Sequence, residues 1–228
     1  MKQKKIFYTE LAFVFGLFFL ALGASLTEKA GFGMSMVIAP PYILYLKLSQ
    51  YLPFFTFGMA AYVFQGILIL VTIIILRRIK FSYLLSFCTA VIYGFLLDGL
   101  NLLTVYIPNE LIIARVLLFC FGTLSSSFGV AMMFKTYFPP EAYELIVKEL
   151  SEKYNIAIHK VKLGYDITSL VLSVAMSFVF FGFGQFNGIH IGTLITALAN
   201  GTLIAIYNKK LESIFDFKDK FKLSDKFN

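Results

Sequence analysis

Two carboxylates, Asp98 and Asp166, stand inside runs of apolar residues. An ionised side chain at the centre of a bilayer span is unfavourable by about 2.5–3.5 kcal/mol on insertion scales, so each must be hydrated, paired or functional. Asp98 is in register with Ser86, Ala90 and Gly94 at steps of four. Small residues on that face let a second helix approach and turn Asp98 into a bundle. The competing reading is a hydrated carboxylate near the outer membrane surface. Asp166 opens an apolar run and is followed on one helical face by Ser169, Ser173 and Ser177. It reads either as one wall of a polar site, with Gln65 opposite, or as a carboxylate satisfying a helix N-terminus. Lys29 and Lys135 each end an apolar run and precede a Pro-Pro pair. Proline is favoured in the first helical turn, whose free N–H groups attract anions, so a lysine there suits a carboxylate or phosphate group. Snorkelling to the interface is the alternative. Arg115 is read as a structural ion-pair partner of Asp98 across the turn at Pro108.

The chemistry these residues suit is recognition of a small solute. There is no nucleophile–base set, HExxH, CxxC or His/Cys cluster, so no catalytic residue, metal site or cofactor is expected. Cys88 and Cys120 read as small buried apolar side chains. His190 and Asn200 are weaker candidates, and His159 is expected to face water. The glycines at 31/33 and at 182/184/188 follow no strand, so they read as helix breaks rather than nucleotide loops.

What must position these residues is a membrane bundle. The 228 residues are 59% apolar and only 14% charged, where a soluble domain carries about 45–50% and roughly 25%. Apolar runs lie at Leu11–Leu26, Pro53–Leu76, Phe81–Ile107, Glu110–Phe134, Leu163–Gly182 and Ile189–Tyr207, and read as six candidate transmembrane helices. A cleavable signal around Ala21–Ala24 is the competing reading of the first run. Two stretches remain: Met34–Leu52, short and broken by Pro40-Pro41, and an amphipathic helix expected over 139–162. With the N-terminus inside, 17 basic residues fall on the cytoplasmic side against two outside, Lys29 and Lys47. The positive-inside tendency therefore predicts six spans with both termini cytoplasmic. The +7 charge lies between apolar runs, so it does not signal nucleic-acid binding. The tail, residues 208–228, interleaves lysines with Phe215, Phe217, Phe221 and Phe227. It suits a helix on an anionic leaflet, or a solvated tail.

The chain also resembles itself. FGLFFLALGASLTEK, from Phe15, answers FGTLSSSFGVAMMFK, from Phe121. Gly16 thus matches Gly122, Gly23 matches Gly129 and Lys29 matches Lys135. Pro40-Pro41 answers Pro139-Pro140, and Gly94 answers Gly201. Each half, 1–107 and 108–207, holds three spans, so the second must enter the membrane inverted. That is the arrangement of many secondary transporters, with a midplane site between the halves. The six glycines are expected to pack helices.

The segments GLFFLALGASLTEKAGFGMSMVIAPPY, FPPEAYELIVKELSEKYNI and IHIGTLITALANGTLI resemble the YczE/YyaS/YitT-type bacterial integral membrane proteins. The likeness runs from about Glu10 to Tyr207. It implies a bacterial membrane location and supplies no catalytic motif. The sequence therefore predicts an all-α polytopic protein of the bacterial cytoplasmic membrane, a 3+3 inverted repeat with short Pro-broken segments after spans one and four. Its expected function is secondary transport of a small solute with an anionic group, held in one cavity by Lys29, Gln65, Asp98 and Asp166. A non-transporting adaptor is the alternative, docking a partner through 139–162 and the tail. The expected partners are the lipid bilayer, the solute and a second copy of the chain.

Overall fold

The computed structural model describes residues 4–220 and, at Ile158 and His159, the backbone alone. Along the chain run β1 (Lys5–Tyr8), α1 (Thr9–Ala30), α2 (Ala39–Leu48), α3 (Phe57–Leu76) and α4 (Phe81–Thr104). They are followed by α5 (Ile112–Met133), α6 (Ala142–Tyr154), α7 (Ile158–Phe181), α8 (Ile191–Ile214) and β2 (Phe215–Lys218). Six of the helices are long and apolar enough to cross a membrane. At 1.5 Å per residue they reach about 30–36 Å, the thickness of a hydrocarbon core. The burial pattern is that of a multi-pass membrane protein. Ile74, Phe95 and Val179 point outward, while Gln65, Ser86, Ser173 and Thr193 are completely enclosed.

Local sequence explains where the helices stop. Gly31 takes a left-handed conformation (φ 69°) and ends α1, as a residue without a Cβ can at no steric cost. Thr56 caps α3, its hydroxyl accepting from Met59 N at 3.1 Å. Pro40 and Pro41 sit in the first turn of α2, where a missing N–H costs nothing. His190 and Thr193 cap the start of α8 reciprocally.

Glycine decides the packing. A Cβ on Gly16 would strike the Gly129 carbonyl, and one on Gly129 the Gly16 carbonyl; Gly23 and Gly122 stand in the same mutual relation. The backbones of α1 and α5 therefore touch at two crossings along the centre of the bundle. Gly94 meets Gly58 in the same way and locks α4 to α3. Gly201 departs from the expectation, because nothing lies within 4 Å of it; it faces a cavity instead of a helix. Cys88 and Cys120 also depart from it, being free and exposed on the apolar exterior.

Two further expectations are corrected. The stretch 139–162 is not one surface helix. α6 ends at Asn155, whose φ of 51° breaks it, and residues from 158 onward begin α7. α6 buries Ala142, Tyr143, Leu145, Ile146 and Val147 against α3, α4 and α7. The described part of the tail is neither a surface helix nor free. α8 continues to Ile214, and β2 then doubles back to pair in parallel with β1, Lys5 opposite Phe215 and Tyr8 opposite Lys218. Phe7 packs edge-on against Phe215 and Phe217, which gives the reversal its apolar anchor. Phe221 and Phe227 lie outside the described residues.

Candidate functional site

The first turn of α6 is held from three neighbouring side chains. The preceding carbonyls of Pro139 and Pro140 accept from Thr89 at 3.3 Å and Ser86 at 2.6 Å, both on α4. Gln65, completely buried near the middle of α3, accepts from Ala142 N at 2.9 Å and donates through Nε2 to Glu141 Oε2 at 2.9 Å. These bonds seat the helix start deep in the bundle, because Gln65 is about 16 Å from the far end of α3 by helical rise. The other end of α6 lies at the end of the bundle that holds the start of α1 and the strands β1 and β2. There Glu149 accepts from Arg78 at 2.6 Å and Lys80 at 2.7 Å. Burial pushes the Glu149 carboxyl up, but Lys80 and Arg78 outweigh it and hold the group below the usual range. α6 is thus a half-length helix running from the interior to one surface.

Glu141 sits at the interior end of that helix, 4% exposed. Its Oε2 is bonded to Gln65, whereas Oε1 has no partner among the described residues. Burial pushes its carboxyl up to about 8, the Gln65 bond opposing and nearby Glu144 adding to the rise.

Glu141 lines a cavity of about 770 Å³. The cavity begins among Lys80, Lys148 and Glu152 and reaches inward to Thr27 and to Ser35–Ile38, the turn that leads into α2. The starts of both half-length helices therefore border one space. Its far wall carries Ser126, Ser127 and Asn200, with Ser127 Oγ donating to Asn200 Oδ1 at 3.1 Å. On α7, Lys162 Nζ lies 2.8 Å from Glu144 and 3.5 Å from Asp166, and all three line the cavity. A second cavity, of about 210 Å³, lies toward the opposite end, bordered by Glu28, Tyr42, Asn187 and His190. Thr27 borders both, and the consecutive residues Met34 and Ser35 border one each.

Of the four expected site residues only Asp166 lines the large cavity. Gln65 stands one layer behind, positioning Glu141. Asp98 is spent on structure. It accepts from Gly58 N at 2.7 Å and from Thr56 Oγ1 at 2.6 Å, and so caps the start of α3, where a negative group meets free amides. Lys29 borders neither cavity and donates to the Val105 carbonyl at 3.0 Å. The shared four-residue cavity is therefore corrected. So is the Asp98–Arg115 pair: Arg115 donates to the carbonyls of Ala30 at 2.8 Å and Gly31 at 3.2 Å, satisfying the end of α1, and lies over the Phe32 ring. Sequence reasoning passed over Glu141, Glu144 and Lys162. The available signal was Pro139-Pro140-Glu141, a carboxylate at a proline-marked helix start that repeats a wholly apolar counterpart at Pro40-Pro41. Among the described residues no group of three or more His, Cys, Asp or Glu could hold a metal ion.

Comparison with known proteins places the chain in a family of unknown function, DUF6198, whose model matches residues 7–209. The chain belongs to that family. No curated protein matches it, and no solved structure does.

Proposed function

We propose that this DUF6198 protein is a secondary transporter of a small solute bearing an anionic group. In this reading it is a 3+3 inverted repeat in the bacterial cytoplasmic membrane with both termini in the cytoplasm. The observation that carries the proposal is the convergence of the turns before α2 and α6 on one 770 Å³ cavity. Each helix start turns the positive end of its dipole toward this space, which favours an anionic group there. The wall also carries Lys162, shared between Glu144 and Asp166, and the hydroxyl of Ser35.

Reciprocal packing of Gly16 on Gly129 and Gly23 on Gly122 supports the inverted repeat, because a pseudo-twofold axis exchanges these pairs. The two cavities, toward opposite ends and divided near Thr27 and Met34, support alternating access. Clustering of Arg77, Arg78, Lys80, Lys148 and Lys153 at the end that holds β1 and β2 supports the orientation. Kinship with the YczE/YyaS/YitT-type proteins is proposed on the motifs quoted above. The adaptor alternative is the weaker, since α6 is buried on one side and β2 is paired with β1.

Purified protein in liposomes, offered radiolabelled acetate, methanesulfonate or inorganic phosphate under defined gradients, tests the reading. Saturable uptake is expected to be lost in Ser127→Leu, which fills the cavity wall, and kept in Cys120→Ser on the exterior. Equal uptake by protein-free liposomes for every anion would overturn it.

A further inference from the structure

Gln65 is fixed in its orientation by its two contacts. Its carbonyl accepts from Ala142 N, so its amide must be the group facing Glu141 Oε2. That oxygen is thereby committed as an acceptor in either protonation state. Any proton on this carboxyl resides on Oε1, which is enclosed and has no partner among the described residues, in a side chain at the cavity wall. We propose that Glu141 is the proton site of the cavity, a neutral carboxyl at its wall whose Oε1–H turns to the anionic group of the solute as it binds, and that this proton crosses with it.

The surroundings suit the neutral form. The groups that face Glu141 are Gln65 from α3, Tyr93 from α4, Tyr143 and Glu144 from α6, and Tyr165 from α7. Its one nearby carboxylate, Glu144, is already paired with Lys162, which also meets Asp166. Among the described residues no lysine or arginine pairs with Glu141, so nothing compensates an ionised form buried at this depth. A solute anion alone would add a negative charge to the same space. An anion arriving with one proton adds none: Oε1–H donates to the anion in the loaded state. On release the proton leaves with the solute to water, and Gln65 holds the bare carboxylate until it is reprotonated. The proposal rests on the transport reading of this cavity.

Infrared difference spectroscopy of the full chain in liposomes, needing no solute, tests the proton site. Between pH 6 and 9 a protonated-carboxyl C=O band is expected to disappear in the wild type. Its intensity should be reduced in Glu141→Gln, which keeps the acceptor for Gln65, and unchanged in Glu144→Gln. Gln65→Leu removes the bond that favours the carboxylate and should move the midpoint to higher pH. An undiminished band in Glu141→Gln overturns the proposal. The second arm follows an internal pH dye during uptake of methanesulfonate, which stays ionised over the whole range. Uptake with internal acidification, falling about tenfold from pH 7 to pH 9 with the protonated fraction, is the expected result. Uptake without acidification overturns proton coupling while the transport reading stands. Absence of uptake of any tested anion counts against the transport reading, and the infrared arm still decides the carboxyl.

Discussion

Ser125 Oγ on α5 donates to the Phe19 carbonyl on α1 at 2.9 Å, between residues 106 positions apart. The same interval relates Gly16 to Gly122 and Gly23 to Gly129. Residues matched by an internal repeat touch one another only beside the axis that exchanges them. This contact, flanked by the two reciprocal glycine crossings, therefore marks where a pseudo-twofold axis of the proposed repeat would run. The α1–α5 seam is accordingly the part of the bundle least able to accept added volume.

Gly23→Ala and Gly122→Ala should each lower stability by about 1–3 kcal/mol, the usual cost of overpacking. In both cases the new methyl meets backbone atoms of the opposing helix, which cannot swing away. Gly201→Ala, with nothing within 4 Å, should change stability by less than about 0.5 kcal/mol. Thermal unfolding in detergent compares the three, and equal effects would refute the seam.

Gln65→Leu should destabilise by about 1–3 kcal/mol for each buried group it strands, here the Ala142 amide and Glu141 Oε2. Loss of protection should concentrate in α6, so hydrogen exchange across residues 142–154 should rise more than across α1. Uniform exchange over both helices would contradict the clamp.

The Glu141 carboxyl is raised from 4.5 to about 8 by burial. The folded state therefore holds a proton that the unfolded chain releases first. Its contribution to stability is complete below about pH 4.5 and is lost as the pH rises through about 8. The melting temperature should fall between pH 6 and 9 in the wild type by several degrees more than in Glu141→Gln. Parallel curves for the two proteins would sink the assignment.

Asp98 and Arg115 serve different helix ends. Asp98→Asn should weaken the start of α3 and Arg115→Gln the end of α1, each by about 1–2 kcal/mol. Because they share no contact, the double variant should equal the sum within about 0.3–0.5 kcal/mol. A larger coupling energy would restore the ion pair.

Reporter fusions after Tyr106 and after Gln185 should both read as external, in keeping with the charge asymmetry between the two ends. A cytoplasmic reading at either point removes the proposed orientation.

The six spans, the two proline-broken segments and the glycines that join α1 to α5 were all legible in the sequence. Bilayer thickness sets a minimum apolar length, and close helix crossings demand residues without a Cβ; both requirements are local and leave a one-dimensional trace. Which polar groups share a space was not legible. Asp98 and Lys29 have the residue types of a binding site, yet each is consumed by a backbone terminus that the fold happens to bring beside it. Gln65 and Glu141 lie 76 positions apart and became partners only because α6 starts inside the bundle. The sequence shows α6 as an amphipathic helix and nothing more. Its depth is decided by Thr89, Ser86 and Gln65, which satisfy polar groups that lipid could not. The parallel pairing of β1 with β2 was hidden for the same reason: four-residue strands carry almost no periodicity, and only the arrival of the start of α1 and the end of α8 at one face of the bundle made each the other's partner.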